Sequence, residues 1–217
     1  MGYTAEQLFR MAPVIPVITV DDLDTAVPLA RALQQGGLPV LEITLRTSQG
    51  LDAIQRVKEE VEGVIVGAGT VLNPRDLDKV LEAGSDFVIT PGLTPDLLRA
   101  GSACGVPFMP GITTVSELMC CVEAGLTALK FFPAEASGGA RALRAFRGPF
   151  PEVLFCPTGG ISPDNLAAYL ALPSVPTVGG SWMTPGSRVA AGDWQGITAL
   201  AREAVDLVAA IRSPEGS

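Results

Sequence analysis

The 217-residue chain contains no histidine and only three lysines, Lys58, Lys79 and Lys130. Histidine is the commonest general base and a common zinc ligand, so its absence hands proton transfer to carboxylate, lysine, tyrosine, cysteine or water. Positive charge is scarce too: 15 basic against 23 acidic residues leave a formal charge of −8. Such a balance gives no electrostatic footprint for nucleic acid or an anionic membrane, so any anionic ligand must be held locally. No apolar run is long enough to span a bilayer, and the opening "MGYTAEQLFRMAP" carries an early acid without a signal-like apolar segment. A soluble cytoplasmic protein is expected. Cys104, Cys120, Cys121 and Cys156 lack C-x-x-C spacing. They are expected to be buried small hydrophobes rather than a zinc site or a disulfide frame.

With 47% hydrophobic and 18% charged residues, most of the chain can be buried, which argues for a compact fold. No low-complexity linker divides it, so a single domain over 1–217 is expected. Eight short runs rich in Val and Ile recur: "PVIPVITV" (13–20), "PVLEITL" (39–45), "GVIVGAGT" (63–70), "DFVIT" (86–90), "VPFMPG" (106–111), "TALKFFP" (127–133), "EVLFCPTGG" (152–160) and "VPTVGGS" (175–181). Segments of helical periodicity lie between them, such as "DLDTAVPLARALQQGG" and "LNPRDLDKVLEAGS", several opening at Asp, Asn or Ser and closing at Gly. The repeat is roughly 20–25 residues, enough for a parallel strand and its crossover helix. Eight such units predict a (β/α)8 TIM barrel over 13–212, with an extra N-terminal helix within 1–12 and a short tail at 213–217. A doubly wound open sheet is the alternative, but "GAGT" is only half of a dinucleotide-binding G-x-G-x-x-G and closes the third strand rather than the first.

Alternate side chains of a barrel strand point inward, so parity sorts the polar residues. In the second strand Leu41, Ile43 and Leu45 suit a helix layer, which turns Val40, Glu42, Thr44 and Arg46 inward. Glu42 and Arg46 are then about 13 Å apart along the strand, with Glu42 deep and Arg46 at the rim. In the sixth strand Leu129 and Phe131 face the helices while Ala128, Lys130 and Phe132 face the axis. Parity is less decisive for the sets Val66, Ala68, Thr70 and Leu154, Cys156, Thr158. Thr70 and Thr158 nonetheless sit at carboxyl ends of strands, where barrel active sites are built.

An inward lysine and an inward glutamate, in a chain without histidine, suggest imine chemistry. A lysine among Ala128, Phe132 and core residues is desolvated, which favours the neutral amine that attacks carbonyls. Glu42 is the obvious base. The plainer explanation, a structural ion pair, carries a desolvation cost that two apolar side chains would not. "PTGGISPDN" places Gly159 and Gly160 after the seventh strand and before a helix start expected at Ser162, while "VGGSW" places Gly179, Gly180 and Ser181 after the eighth. Bare amides in such turns bind phosphate without basic side chains.

Taken together, "PVIPVITV", "VLEITLRT", "IVGAGTVLNP", "ITPGLTPDLL", "PFMPGITTVSELM", "LKFFPAEASGG", "FCPTGGISPDN" and "VGGSWM" resemble the 2-keto-3-deoxy-6-phosphogluconate aldolase family, which also includes 4-hydroxy-2-oxoglutarate aldolases. The resemblance runs over nearly the whole chain. It implies a homotrimeric class I aldolase on a (β/α)8 barrel, acting in the Entner–Doudoroff pathway without metal or other cofactor. Its partners would be small molecules: the keto acid phosphate, pyruvate and glyceraldehyde 3-phosphate. It further implies that Lys130 forms the Schiff base and Glu42 is the general acid/base. Arg46 and Thr70 would hold the pyruvate carboxylate, Pro91 and Phe132 would line the pyruvate pocket, and Thr158 would read the aldehyde half. Gly159, Gly160, Gly179, Gly180 and Ser181 would receive the phosphate. A phosphosugar isomerase or epimerase, or a non-catalytic barrel, is the rival reading, and neither predicts a covalent adduct on Lys130.

Overall fold

The computed structural model describes residues 2–213. Nine strand segments appear there: β1 (Ile15–Ile18), β2 (Val40–Thr44), β3 (Ile65–Gly69), β4 (Phe87–Ile89), β5 (Phe108–Met109), β6 (Gly111–Ile112), β7 (Ala128–Phe131), β8 (Leu154–Pro157) and β9 (Gly179–Gly180). Between and around them lie α1 (Ala5–Met11), α2 (Ala26–Gln35), α3 (Gly50–Glu60), α4 (Pro74–Glu82), α5 (Pro95–Ser102), α6 (Val115–Glu123), α7 (Gly139–Phe146), α8 (Leu166–Leu170), α9 (Gly186–Ala190) and α10 (Trp194–Arg212). Several helix starts follow capping chemistry. Asn73 and Thr94 accept from the third helical N–H with Pro at the first helical position, and Thr4 with Gln7 and Thr114 with Glu117 form capping boxes. Among the described residues no helix is long and apolar enough to cross a membrane.

All strand pairs are parallel. Six segments run in the order β5-β4-β3-β2-β1-β9 and three in the order β6-β7-β8. Neighbours follow chain order and β9 returns beside β1, without the reversal of a doubly wound sheet, which sets that alternative aside. The fifth apolar run, expected as one strand, is two segments. Pro110 has no N–H to give to a ladder, so Phe108 and Met109 pair with β4 while Gly111 and Ile112 pair with β7. The Pro110 carbonyl still accepts from the Lys130 N–H at 3.0 Å. A lone parallel bridge between Thr158 and Gly179 brings the end of β8 beside β9. The result is an α/β fold around a curled parallel sheet.

Strand alternation divides the core in two. Leu41, Ile43, Val66, Ala68, Leu129, Phe131 and Phe155 pack in the larger cluster with helix residues such as Leu33, Ile54 and Leu143. Ile15, Val40, Ile65, Phe87, Met109, Ala128, Leu154 and Cys156 form a second cluster on the concave side. This inner cluster draws on both sheets, and α1 closes it with Leu8 and Phe9, joined by Ala12 just beyond the helix. The undecided faces are thereby settled. Val66 and Ala68 belong to the helix layer, whereas Leu154 and Cys156 point inward.

Three expectations need correction. No helix starts at Ser162: Asn165 accepts from the Ser162 N–H at 2.9 Å and donates to the Gly160 carbonyl at 2.8 Å, holding a turn that delays α8 to Leu166. The four cysteines are free, but only Cys121 and Cys156 are buried; Cys104 is half-buried and Cys120 exposed on α6. The tail expected at 213–217 lies, apart from Ser213, outside the described residues.

Candidate active site

Glu42 lies at the centre of β2 and Lys130 is the third residue of β7. Both side chains point to the concave side and are almost fully buried, at 1% and 4% exposure. Lys130 Nζ donates to Glu42 Oε1 at 2.9 Å and Oε2 at 3.3 Å. The lysine and glutamate that strand parity turned to the same interior are thus in direct contact. Gly69 makes room for it: a Cβ there would fall 2.2 Å from Glu42 Oε1. The Phe132 ring centroid lies 5.5 Å from Lys130 Nζ, within reach of a cation–π contact. Cys156, paired in register with Lys130, shows how dry the floor is. Burial pushes its thiol up to about 12, with the Lys130 charge pulling the other way.

A cavity of about 600 Å³ opens at the carboxyl ends of the strands. Of the residues expected at the site, Arg46, Phe132, Thr158, Gly159, Gly160, Gly179, Gly180 and Ser181 line it. Arg46 is exposed and takes part in none of the ion pairs of the described residues, so its guanidinium is available to an anion. Thr158 is buried, and its hydroxyl donates to the Cys156 carbonyl at 3.4 Å. Gly159 and Gly160 have φ of 99° and 79°, left-handed values that reverse the chain after β8. Among the described residues the amides of Gly160, Ile161 and Ser181 donate to no acceptor. Three N–H groups from two adjacent loops are therefore free for an anion, without the helix N-terminus expected behind the first loop.

Glu42, Lys130, Thr70 and Pro91 are not among the residues that line the cavity; the buried pair lies behind its wall, with Lys130 Nζ 5.5 Å from the ring centroid of the lining residue Phe132. Thr70 follows Gly69 with φ of 61°, and its strand parity would have pointed it toward the helices, so the backbone turn there redirects it. A β-branched residue in this region is strained by roughly 1–3 kcal/mol, a cost that sites of function commonly hold. The Pro91 backbone packs against Gly111, whose register partner is Lys130.

The sequence reasoning missed Thr19, Asp21, Asp22, Ile161 and Thr184 on the cavity wall. Thr19, Asp21 and Asp22 follow the first strand, at the same carboxyl end that marked Thr70 and Thr158. The rule could have found them, had it been applied to every strand. Thr44, inward and fully buried, donates to the Ile18 carbonyl at 2.9 Å and lies 3.3 Å from the Thr19 hydroxyl.

Comparison with known proteins agrees with this geometry. A family model described as "Aldolase: KDPG and KHG aldolase" matches residues 5–200. A KHG/KDPG aldolase of Escherichia coli is 56% identical, over 94% of this chain and 95% of the relative. A 2-dehydro-3-deoxy-phosphogluconate aldolase of Pseudomonas aeruginosa is 50% identical, over 93% and 91%. The crystal structure of a Legionella pneumophila KDPG aldolase, with pyruvate captured as a covalent carbinolamine, superposes with a TM-score of 0.91 at 44% identity, covering 93% of this chain and 98% of that one. The Zymomonas mobilis 2-keto-3-deoxy-6-phosphogluconate aldolase with 3-phosphoglycerate gives 0.87 at 46% identity, covering 92% and 94%. By the model match and by these relatives alike, the chain belongs to the KDPG and KHG aldolase family.

Proposed function

We propose that this chain is a class I aldolase. It cleaves 2-keto-3-deoxy-6-phosphogluconate to pyruvate and glyceraldehyde 3-phosphate, the cleavage step of the Entner–Doudoroff pathway, and 4-hydroxy-2-oxoglutarate to pyruvate and glyoxylate. The observation that carries this reading is the buried contact between Lys130 Nζ and Glu42 Oε1 at 2.9 Å. A carboxylate at that distance takes a proton from the ammonium and frees the amine. The amine attacks the C2 ketone, and the carbinolamine hydroxyl leaves as water with the proton that Glu42 returns. The iminium so formed draws the electron pair of the C3–C4 bond. Glu42, directly or through water, removes the C4 hydroxyl proton, the aldehyde departs, and the same proton is delivered to C3 of the enamine. Hydrolysis then releases pyruvate and regenerates the amine.

Arg46, on the cavity wall, is the proposed partner of the keto acid carboxylate, with strained Thr70 in the same role. Pro91 and Phe132 flank the pyruvate end, Thr158 meets the aldehyde half, and the loops carrying Gly159, Gly160, Gly179, Gly180 and Ser181 receive the phosphate. The ligands of the Legionella and Zymomonas relatives, a pyruvate carbinolamine and 3-phosphoglycerate, support the two halves of this assignment. We further read the curled sheet as a closed (β/α)8 barrel in one domain. Support comes from the partner switch at Pro110, the Thr158–Gly179 bridge and the shared inner core. A homotrimer in the cytoplasm completes the reading. Val115, Met119 and Val122 form an exposed apolar strip on α6 that suits self-association, and a light-scattering mass near three chains is expected.

Borohydride reduction in the presence of pyruvate tests the mechanism. Mass spectrometry is expected to find the adduct on Lys130, and a chain that traps none is not a Schiff-base aldolase. Cleavage is expected to vanish in Lys130→Met and to persist in Lys58→Met and Lys79→Met.

A further inference from the structure

Five residues beyond Lys130, the same chain segment meets the loop assigned to phosphate. The Ala134 N–H donates to the Thr158 carbonyl at 2.8 Å and the Glu135 N–H to the Gly159 carbonyl at 3.1 Å. The Glu135 side chain lies flat against Gly160, where an added Cβ would meet its Cγ at 2.7 Å. Its carboxylate accepts a hydrogen bond from the hydroxyl of Tyr169 on α8. Tyr169 is fixed in turn, with 1% of its surface exposed and its ring in the helix-side core. Glu135 is exposed overall and takes part in none of the ion pairs of the described residues, so that hydroxyl is the contact that holds its carboxylate. Catalysis as derived above uses neither residue.

We propose that Glu135 and Tyr169 are positioning residues for the phosphate of the substrate. The buried hydroxyl pins the carboxylate, and the pinned side chain backs the 159–161 loop so that the Gly160 and Ile161 amides stay set at one distance from the strand carrying Lys130. This rests on the reading that the loop receives phosphate. Two effects converge. The brace removes loop freedom that binding would otherwise have to freeze out. It also keeps a carboxylate from swinging toward the phosphate, where like charges would repel. A substrate without phosphate gains from neither.

Tyr169→Phe, made in the full chain, isolates the brace because it removes one oxygen and keeps the ring. KM for 2-keto-3-deoxy-6-phosphogluconate is expected to rise about 3- to 10-fold, the worth of one hydrogen bond, with kcat within about twofold. KM and kcat for 4-hydroxy-2-oxoglutarate are expected to stay unchanged. Glu135→Ala, which loses the backing but has no carboxylate to repel the phosphate, should raise the same KM by less than Tyr169→Phe, and Glu135→Gln, which keeps an acceptor oxygen for the tyrosine, should leave KM at the wild-type value. An unchanged KM for the phosphorylated substrate in Tyr169→Phe overturns the proposal. So does an equal loss on both substrates, the signature of general damage to the fold. A wild-type chain that cleaves neither substrate instead removes the aldolase reading on which the proposal stands.

Discussion

Replacing either member of the Lys130–Glu42 pair leaves the other buried and unpaired. With 1% and 4% exposure and a 2.9 Å contact, each side chain has almost no access to water. Breaking such a pair costs about 3–5 kcal/mol, whereas replacing both members with apolar groups of similar shape is neutral or stabilising. Lys130→Met and Glu42→Leu are each expected to lower stability by that amount, about 6–20 °C in melting temperature for a chain of this length. The double variant is expected near wild type, short of the sum of the single losses by several kcal/mol. Urea titration at constant slope reads all four corners of the cycle, and aldol cleavage is expected to be lost in the three variants. If the double variant is as unstable as the two singles added together, the pair contributes net stability, and the argument that it is kept for chemistry fails.

Gly69→Ala would set a methyl group 2.2 Å from Glu42 Oε1. It is expected to displace the carboxylate and lower kcat by about 10²-fold or more, the scale of a misplaced acid–base group, in a coupled assay of pyruvate release. Thr70→Gly relieves the strain at φ of 61°. It is expected to stabilise the fold by about 1 kcal/mol in urea while raising the KM of both substrates alike. Burial holds the Cys121 and Cys156 thiols at about 12 against an ordinary 9.0. The folded state then binds more protons than the unfolded one above about pH 9, so each thiol's contribution is whole below that pH and is lost as pH rises toward 12. Stability is expected to fall by roughly 1.4 kcal/mol per pH unit per thiol in that window, and the Cys156→Ala variant should lose about half the slope.

Much of this was legible because period-2 alternation carries direct spatial information. In β2 the aliphatic set Leu41, Ile43 and Leu45, and in β7 the apolar pair Leu129 and Phe131, mark the helix face, and the sequence alone therefore turns Glu42 and Lys130 to the same interior. β3 resisted, since Val66 and Ala68 read alike whichever face they take, and Thr70 leaves the strand through a left-handed turn that no residue type announces. Pro110 hid a partner change inside one apolar run, visible only when the partners of β5 and β6 are known. The helix expected at Ser162 failed for a local reason: Ser162 reads as a cap, but the Asn165 side chain takes its N–H and holds a turn instead. Glu135 and Tyr169 were illegible, being 34 residues apart and joined by a contact between two loops and a helix.

The two absences that opened the sequence have one consequence at the site. Without histidine, the proposed cycle gives its proton transfers to one carboxylate, which is feasible only if the transfers alternate in direction. In the proposed cycle they do. Glu42 accepts from the ammonium, gives to the departing hydroxyl, accepts from the C4 hydroxyl and gives to C3, so it is reset before each new demand. Basic side chains being few, the proposed assignment divides the anionic substrate between one guanidinium and uncharged amides. In that assignment Lys130 is not available as a phosphate anchor, because its nitrogen forms the bond to C2. Amides bind phosphate without a counter-charge, and this lets Asp21 and Asp22 share the cavity wall with them. Geometry, in place of net charge, would then decide which anion is held, and this is the reason the proposal gives the loop carrying Gly160 a fixed backing.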